Sequence, residues 1–261
     1  MLKKKYERKN GIVLALEHAT PTIINEINGW KELAKDEKWL KPSRDYLVHL
    51  PNPCVGDVPK GDNFSWVKHS AEFFGDLVRL NLKGKKVLDL AAGRCWTSKE
   101  LVKRGAKVVA TDIMVDFGVG LETGRVYSEK FDRVQCDMNE LPFVDDCFDM
   151  VYSYASMHHS EDLERTIFEC YRVLKPNGVL VLSGEPCDSL YGPFVRKILH
   201  NKFTDDYDLN ETIPHYVTWL VYLENAGFKV VKYPRVEFRK LFVGGNMFLI
   251  AQKRVRFYDE Y

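Results

Sequence analysis

Between residues 85 and 185 short apolar runs alternate with amphipathic stretches, and this alternation constrains the fold more than any other feature of the chain. The runs stand at 87–90 (VLDL), 108–112 (VVATD), 133–137 (RVQCD), 148–153 (FDMVYS) and 179–183 (VLVLS). Strands this continuously apolar are buried on both faces, which implies a parallel sheet covered by helices on either side. Helical spacing predicts one helix over 97–104, stopped by Gly105, and another over 162–174, stopped by Pro176-Asn177-Gly178. A helix near 214–226 and strands over 228–233 and 246–252 are expected to complete the sheet, the last strand antiparallel.

Residues 1–83 have a different texture. Helical spacing at Ile23, Ile24, Ile27 and Trp30, and again from Phe64 to Leu80, predicts an extension of helices and loops. Residues 84–252 then form the main α/β domain, doubly wound and Rossmann-like, with an irregular aromatic-rich insertion at 186–212; 253–261 is a tail.

Composition excludes several classes. Apolar residues make up 45% and charged residues 29%, which is ordinary for a globular domain. Lys+Arg 38 against Asp+Glu 37 leaves +1, which argues against nucleic acid or an anionic membrane as partner. No apolar run reaches the ~18–20 residues of a membrane span. The lysines of the first ten residues precede an apolar stretch that Glu17 and His18 cut short of a signal sequence. The six cysteines are scattered without a C-x-x-C spacing, so neither a disulfide framework nor a zinc site is expected, and the compartment reads as cytoplasmic.

In an open α/β sheet, ligands bind beyond the carboxyl ends of the strands, where the strand order reverses. Asp89, Asp112 and Asp137 sit at the ends of the first three runs, and Tyr152-Ser153 at the end of the fourth. One such acid suits a helix cap or a loop anchor; three in succession converging on one crevice point to a ligand site. Asp112 follows Asp89 by 23 residues, the place of an acid that grips ribose hydroxyls. A carboxylate there repels a 2′-phosphate. Gly93, in the turn before the first helix, allows close approach of a ligand to the backbone.

The stretches VLDLAAGRCWTS (87–98), VVATDI (108–113), VQCDMNELPF (134–143), CFDMVYSYASMHH (147–159) and YRVLKPNGVLVLSGEP (171–186) together resemble the class I S-adenosylmethionine-dependent methyltransferases. The likeness is to the broad type-11 group that includes quinone-biosynthesis C-methyltransferases. It implies S-adenosylmethionine as cofactor, S-adenosylhomocysteine as product, and a small-molecule acceptor with an oxygen, nitrogen or carbon nucleophile. By position, the turn from Asp89 through Ala91 and Gly93 would cradle the methionine part. Asp112 would bind the ribose, and Ile113 would flank the adenine. Asp137 would accept from the adenine amino group with Met138 against the ring, while Ser153 and Tyr154 would border the sulfonium. The family pattern D-x-G-x-G-x-G carries Ala91 and Cys95 here in place of the outer glycines. Those departures keep open a second reading, a catalytically silent binding or scaffold protein on the same fold. A dinucleotide oxidoreductase would require GxGxxG where AAGRCW stands.

His158, more than His159, is placed to act as a base if the acceptor needs one, with loop structure as the alternative role. Glu185, ending the fifth run, has the acceptor pocket as one candidate place, while Asp149 reads as an anchor. The N-terminal helices are candidates for a lid, and the glycine-rich 115–124 stretch for a loop or late-starting helix.

Overall fold

The computed structural model describes residues 1–33, 35, 43–52, 65–188, 210, 212–232 and 245–254. Most of the 186–212 insertion, including Tyr191, Phe194, Phe203 and Tyr207, lies outside the described residues, as does the end of the tail. The strands are β1 (Glu7–Lys9), β2 (Ile12–Leu14), β3 (Lys86–Leu90), β4 (Lys107–Asp112), β5 (Asp132–Gln135), β6 (Phe148–Tyr154), β7 (Leu174–Cys187), β8 (Phe228–Lys232) and β9 (Gly245–Lys253). The helices are α1 (Pro21–Leu33), α2 (Arg44–His49), α3 (Ser65–Leu77), α4 (Trp96–Lys103), α5 (Leu163–Val173) and α6 (Tyr216–Ala226).

Among the described residues the strands form one sheet in the order β1-β2-β5-β4-β3-β6-β7-β9-β8. The run β2-β5-β4-β3-β6-β7 is parallel throughout, and β9 and β8 close the far side antiparallel. The chain leaves β3 toward β4 and β5, and later returns beside β3 with β6, so the strand order reverses between β3 and β6. That reversal opens the crevice beyond their carboxyl ends.

Strand pleating divides the core in two. Leu88, Leu90, Val109, Val134 and Val151 point to one face, where Leu163, Ile167, Cys170 and Val173 of α5 and Trp219 and Leu223 of α6 cover them. Val87, Val108, Ala110, Met150 and Tyr152 point to the other, under Tyr46 and Leu47 of α2, Phe73 and Leu77 of α3, and Leu101 of α4. The alternation is the period-2 geometry of a strand, and it gives each helix an apolar face to bury against. Asp162 caps α5 by accepting the Arg165 N–H at 2.9 Å, while Gly227, at φ 98°, ends α6.

The N-terminal region departs from the expected helices and loops. Residues 7–14 form a hairpin whose second strand, β2, pairs parallel to β5, with Ile12 opposite Arg133 and Val13 opposite Val134. Three-residue strands show no readable alternation. The pairing forms because β5 otherwise presents an open edge, and because it buries Ile12 and Val13. The glycine-rich stretch is a turn followed by a 3₁₀ helix over Leu121–Val126. A Cβ on Gly120 would stand 2.4 Å from the Met114 carbonyl oxygen, so this connection admits only glycine there. No helix among the described residues is long and apolar enough to cross a membrane.

Candidate functional site

The turn after β3 carries the first part of the site. Ala91, Gly93 and Cys95 all adopt left-handed backbone, at φ 51°, 48° and 60°. An L-residue there costs on the order of 1 kcal/mol, and the turn is held against that cost by hydrogen bonds: Ala92 N–H to Thr111 O at 2.7 Å and Cys95 N–H to Ala92 O at 2.8 Å. The residues replacing the family's outer glycines therefore reproduce the glycine conformation. Cys95 is fully buried, with its sulfur 3.6 Å from the Gly93 carbonyl, and lies outside the cavity lining, so it does not narrow the hollow.

The turn borders a cavity of about 340 Å³, within the ~300–1,000 Å³ span of small-molecule sites. Asp89, Asp112 and Asp137 all line it, with Ala91, Gly93, Ile113, Met138 and Tyr154. Asp112 accepts from Gly93 N–H and from Met114 N–H, each at 2.7 Å. Burial still pushes its carboxyl up to about 6, against those two hydrogen bonds. Asp137 accepts the Asn139 N–H at 2.8 Å, and burial raises its carboxyl as well.

Asp89 accepts the hydroxyls of Ser98 and Thr97 at 2.5 and 2.6 Å, which ties β3 to the start of α4. Burial pushes its carboxyl up to about 7, with the two hydroxyls opposing. A carboxyl whose folded pKa lies above its unfolded value of ~3.9 favours the fold while protonated, and that contribution is lost as pH rises toward 7. The Asp89→Asn variant is therefore expected to lose less stability than the parent between pH 5 and 7.5 in urea denaturation. Equal losses would contradict the burial argument.

Three expected residues are placed otherwise. Ser153 is fully buried and turned from the cavity, donating to Glu185 Oε1 at 2.7 Å. His158 also lies outside the lining, with Nδ1 3.0 Å from Glu185 Oε2. Glu185 lies outside the cavity lining. Its carboxylate, fully buried, accepts from Ser153, from the N–H groups of Ser156 and Met157 at 2.9 Å each, and from His158, so it organises the loop after β6. Burial alone would raise its pKa, but His158 and the two N–H groups hold it below the ordinary carboxylate range. At the opposite end of the sheet, Asp149 accepts from Lys86 N–H and Lys175 Nζ, both at 2.8 Å.

Several lining residues were not assigned to the site from sequence: Ile23, Glu26 and Trp30 of α1, Trp96 and Glu161; His159, the lesser of the two candidate bases, lines it as well. Residues 23, 26 and 30 follow three- and four-residue steps, so one helix face carries all three. That spacing was a usable signal, masked by the apolar stripe through Ile24 and Ile27. Glu26 accepts from Trp30 Nε1 at 2.8 Å and from the Asn210 N–H at 2.6 Å. A broader, more open hollow of about 870 Å³ adjoins the cavity and shares Asp137, Ser160 and Glu161 with it. Among the described residues no group of His, Cys, Asp or Glu is arranged to hold a metal.

Residues 88–182 match a family model described as a methyltransferase domain. The demethylmenaquinone methyltransferase of Clavibacter sepedonicus is 34% identical over 170 residues, covering 58% of this chain and 68% of that protein. The protein of the same name from Mycobacterium marinum is 36% identical over 118 residues, 44% of this chain and 49% of its own length. The chain thus spans about half the length of the mycobacterial relatives it matches. A solved S-adenosylmethionine-dependent methyltransferase from Mesorhizobium loti superposes with a TM-score of 0.57 at 18% identity, covering 72% of this chain and all of that one. At that identity the superposition speaks for the fold.

Proposed function

The chain belongs to the class I S-adenosylmethionine-dependent methyltransferase family, and from that premise we propose that it binds S-adenosylmethionine in the cavity beyond β3 and β4 and methylates a small quinone-type acceptor. The observation that carries the reading is Asp112. Its carboxylate is fixed by two backbone N–H groups at the edge of a cavity of about 340 Å³ that Asp89 and Asp137 also line.

The residues present suit the cofactor. Asp112 would accept from the ribose hydroxyls, and Asp137 from the adenine amino group. Ile113 and Met138 would lie against the base, and the Ala91–Gly93 turn would receive the methionine tail. The space a Cβ on Gly93 would enter is open, its nearest neighbour being Val119 O at 3.8 Å, which leaves room for close approach to the backbone. The cofactor supplies a methyl group already activated on a sulfonium.

What remains for the protein is to position the acceptor and exclude water, which together can contribute several kcal/mol. Trp96 and Tyr154, with ring centroids 5.1 Å apart, form an aromatic wall. Ile23, Glu26 and Trp30 bring α1 over the same cavity, as a cover over the bound cofactor would require. The acceptor class rests on the relatives named for demethylmenaquinone.

Titration calorimetry with S-adenosylmethionine and S-adenosylhomocysteine tests the proposal. Both are expected to bind one site per chain with micromolar affinity. Failure of both to bind would overturn it in favour of a silent protein on the same fold.

A further inference from the structure

Three segments far apart in the chain meet at one edge of the cavity: Glu26 of α1, His159 after β6, and Asn210. His159 Nδ1 lies 2.8 Å from the Asn210 carbonyl oxygen and 3.3 Å from Glu26 Oε1. Asn210 returns the contact through its side-chain amide, which donates to the carbonyls of His159 and Ser160 at 3.0 Å each. A carbonyl can only accept, so Nδ1 carries the hydrogen, and the neutral ring keeps its lone pair on Nε2. Glu26 is buried, and its carboxylate is fixed by Trp30 Nε1 and the Asn210 N–H. A carboxylate so placed favours the imidazolium that forms when Nε2 takes a proton. His158 also has a carboxylate at its Nδ1, Glu185 at 3.0 Å, but it stands outside the cavity lining.

Resting on the methyltransferase reading, we propose that His159, oriented by Glu26, is the catalytic base that deprotonates an acidic hydroxyl of a hydroquinone-type acceptor. The proton passes from the acceptor O–H to Nε2, and the electron pair of that bond stays on the acceptor, conjugated into its ring. That pair forms the new bond from a ring carbon beside the oxygen to the methyl carbon, while the pair of the broken carbon–sulfur bond remains on sulfur. The hydrogen on that ring carbon then leaves to solvent as a proton and the oxygen regains one, which restores the aromatic hydroquinone. His159 then releases its proton to solvent. Glu26 is a positioning residue in this scheme. Among the described residues, the charged and titratable groups around His159 include Glu26 from α1, Asp112 at the end of β4, Glu161 on the shared lining, and His158, whose ring centroid is 4.2 Å away.

His159→Asn separates the base from a structural pin, because an asparagine amide retains a donor toward the Asn210 carbonyl but has no basic nitrogen. In the protein without cofactor, diethylpyrocarbonate is expected to modify His159 at neutral pH, and S-adenosylhomocysteine to protect it. With labelled S-adenosylmethionine and 1,4-naphthohydroquinone, His159→Asn is expected to lower kcat by about 100-fold or more. It should also abolish the acidic limb of the pH profile, with S-adenosylhomocysteine affinity within about threefold of the parent. Glu26→Gln is expected to move that limb to lower pH, since a neutral neighbour no longer supports the imidazolium.

A His159→Asn variant within threefold of the parent kcat and with an unchanged pH profile overturns the proposal. So does a lack of modification at His159. A parent protein that binds S-adenosylhomocysteine but leaves 1,4-naphthohydroquinone unmethylated overturns the hydroquinone class and the base role with it. A parent that fails to bind S-adenosylhomocysteine removes the methyltransferase reading itself, a distinct result.

Discussion

Replacing Asp112 by Ala is expected to weaken S-adenosylhomocysteine binding by about 100-fold. The carboxylate does two things at once. It would accept from the ribose hydroxyls, and it pins the cofactor turn by accepting from Gly93 N–H and Met114 N–H at 2.7 Å. Hydrogen bonds to a charged group contribute ~1.5–3 kcal/mol each, and ~1.4 kcal/mol is tenfold in affinity. Loss of the sugar contacts together with a loosened turn reaches two orders of magnitude.

Asp112→Asn, which keeps one acceptor, should fall between the parent and the alanine variant. The pH dependence carries a sign. Because burial pushes the Asp112 carboxyl up to about 6, the ionised form that accepts two hydroxyls is lost as pH falls below that value. Affinity in the parent should therefore drop between pH 7.5 and 5.5, and the drop should be smaller in Asp112→Asn. Calorimetry at the two pH values decides it; unchanged affinity in the alanine variant would remove Asp112 from the site.

Glu185→Ala is expected to lower the melting temperature by about 10 °C and to impair cofactor binding, although Glu185 does not line the cavity. Its carboxylate is fully buried and satisfies Ser153, His158 and the N–H groups of Ser156 and Met157. Breaking a buried charged pair of this kind costs ~3–5 kcal/mol, because the remaining partners are left without an acceptor. In a chain of this size each kcal/mol moves the melting temperature by about 2–4 °C. The loop it organises contributes Ala155, Ser156 and His159 to the cavity, so its loosening should reach the ligand. Glu185→Gln keeps one acceptor and should recover part of both losses. A Glu185→Ala protein melting within 2 °C of the parent would show that the loop holds itself.

The legible part of this protein is local. The apolar runs of β3, β4 and β6 and the helices α4 and α5 fall within one or two residues of where periodicity puts them, because a doubly covered parallel strand needs a continuous apolar run and an amphipathic helix needs its 3.6-residue stripe. The acids that end the strands were legible for the same reason: parallel strands joined by crossovers all aim their carboxyl ends at one edge, so Asp89, Asp112 and Asp137 had to gather there.

Sequence alone determined the parallel core of the sheet and the edge on which a ligand would sit. Tertiary structure decided which side of each pleat or turn a residue faces. Neighbours in the chain take opposite sides, so Tyr154 reaches the cavity while Ser153 turns to Glu185, and His159 reaches it while His158 does not. It also decided contacts that no local pattern encodes: the pairing of β2 with the open edge of β5, and the meeting of Glu26, His159 and Asn210. Such contacts form only after the sheet exists to bring distant segments together, and their energy comes from burial and hydrogen bonding across that surface rather than from the propensity of any segment.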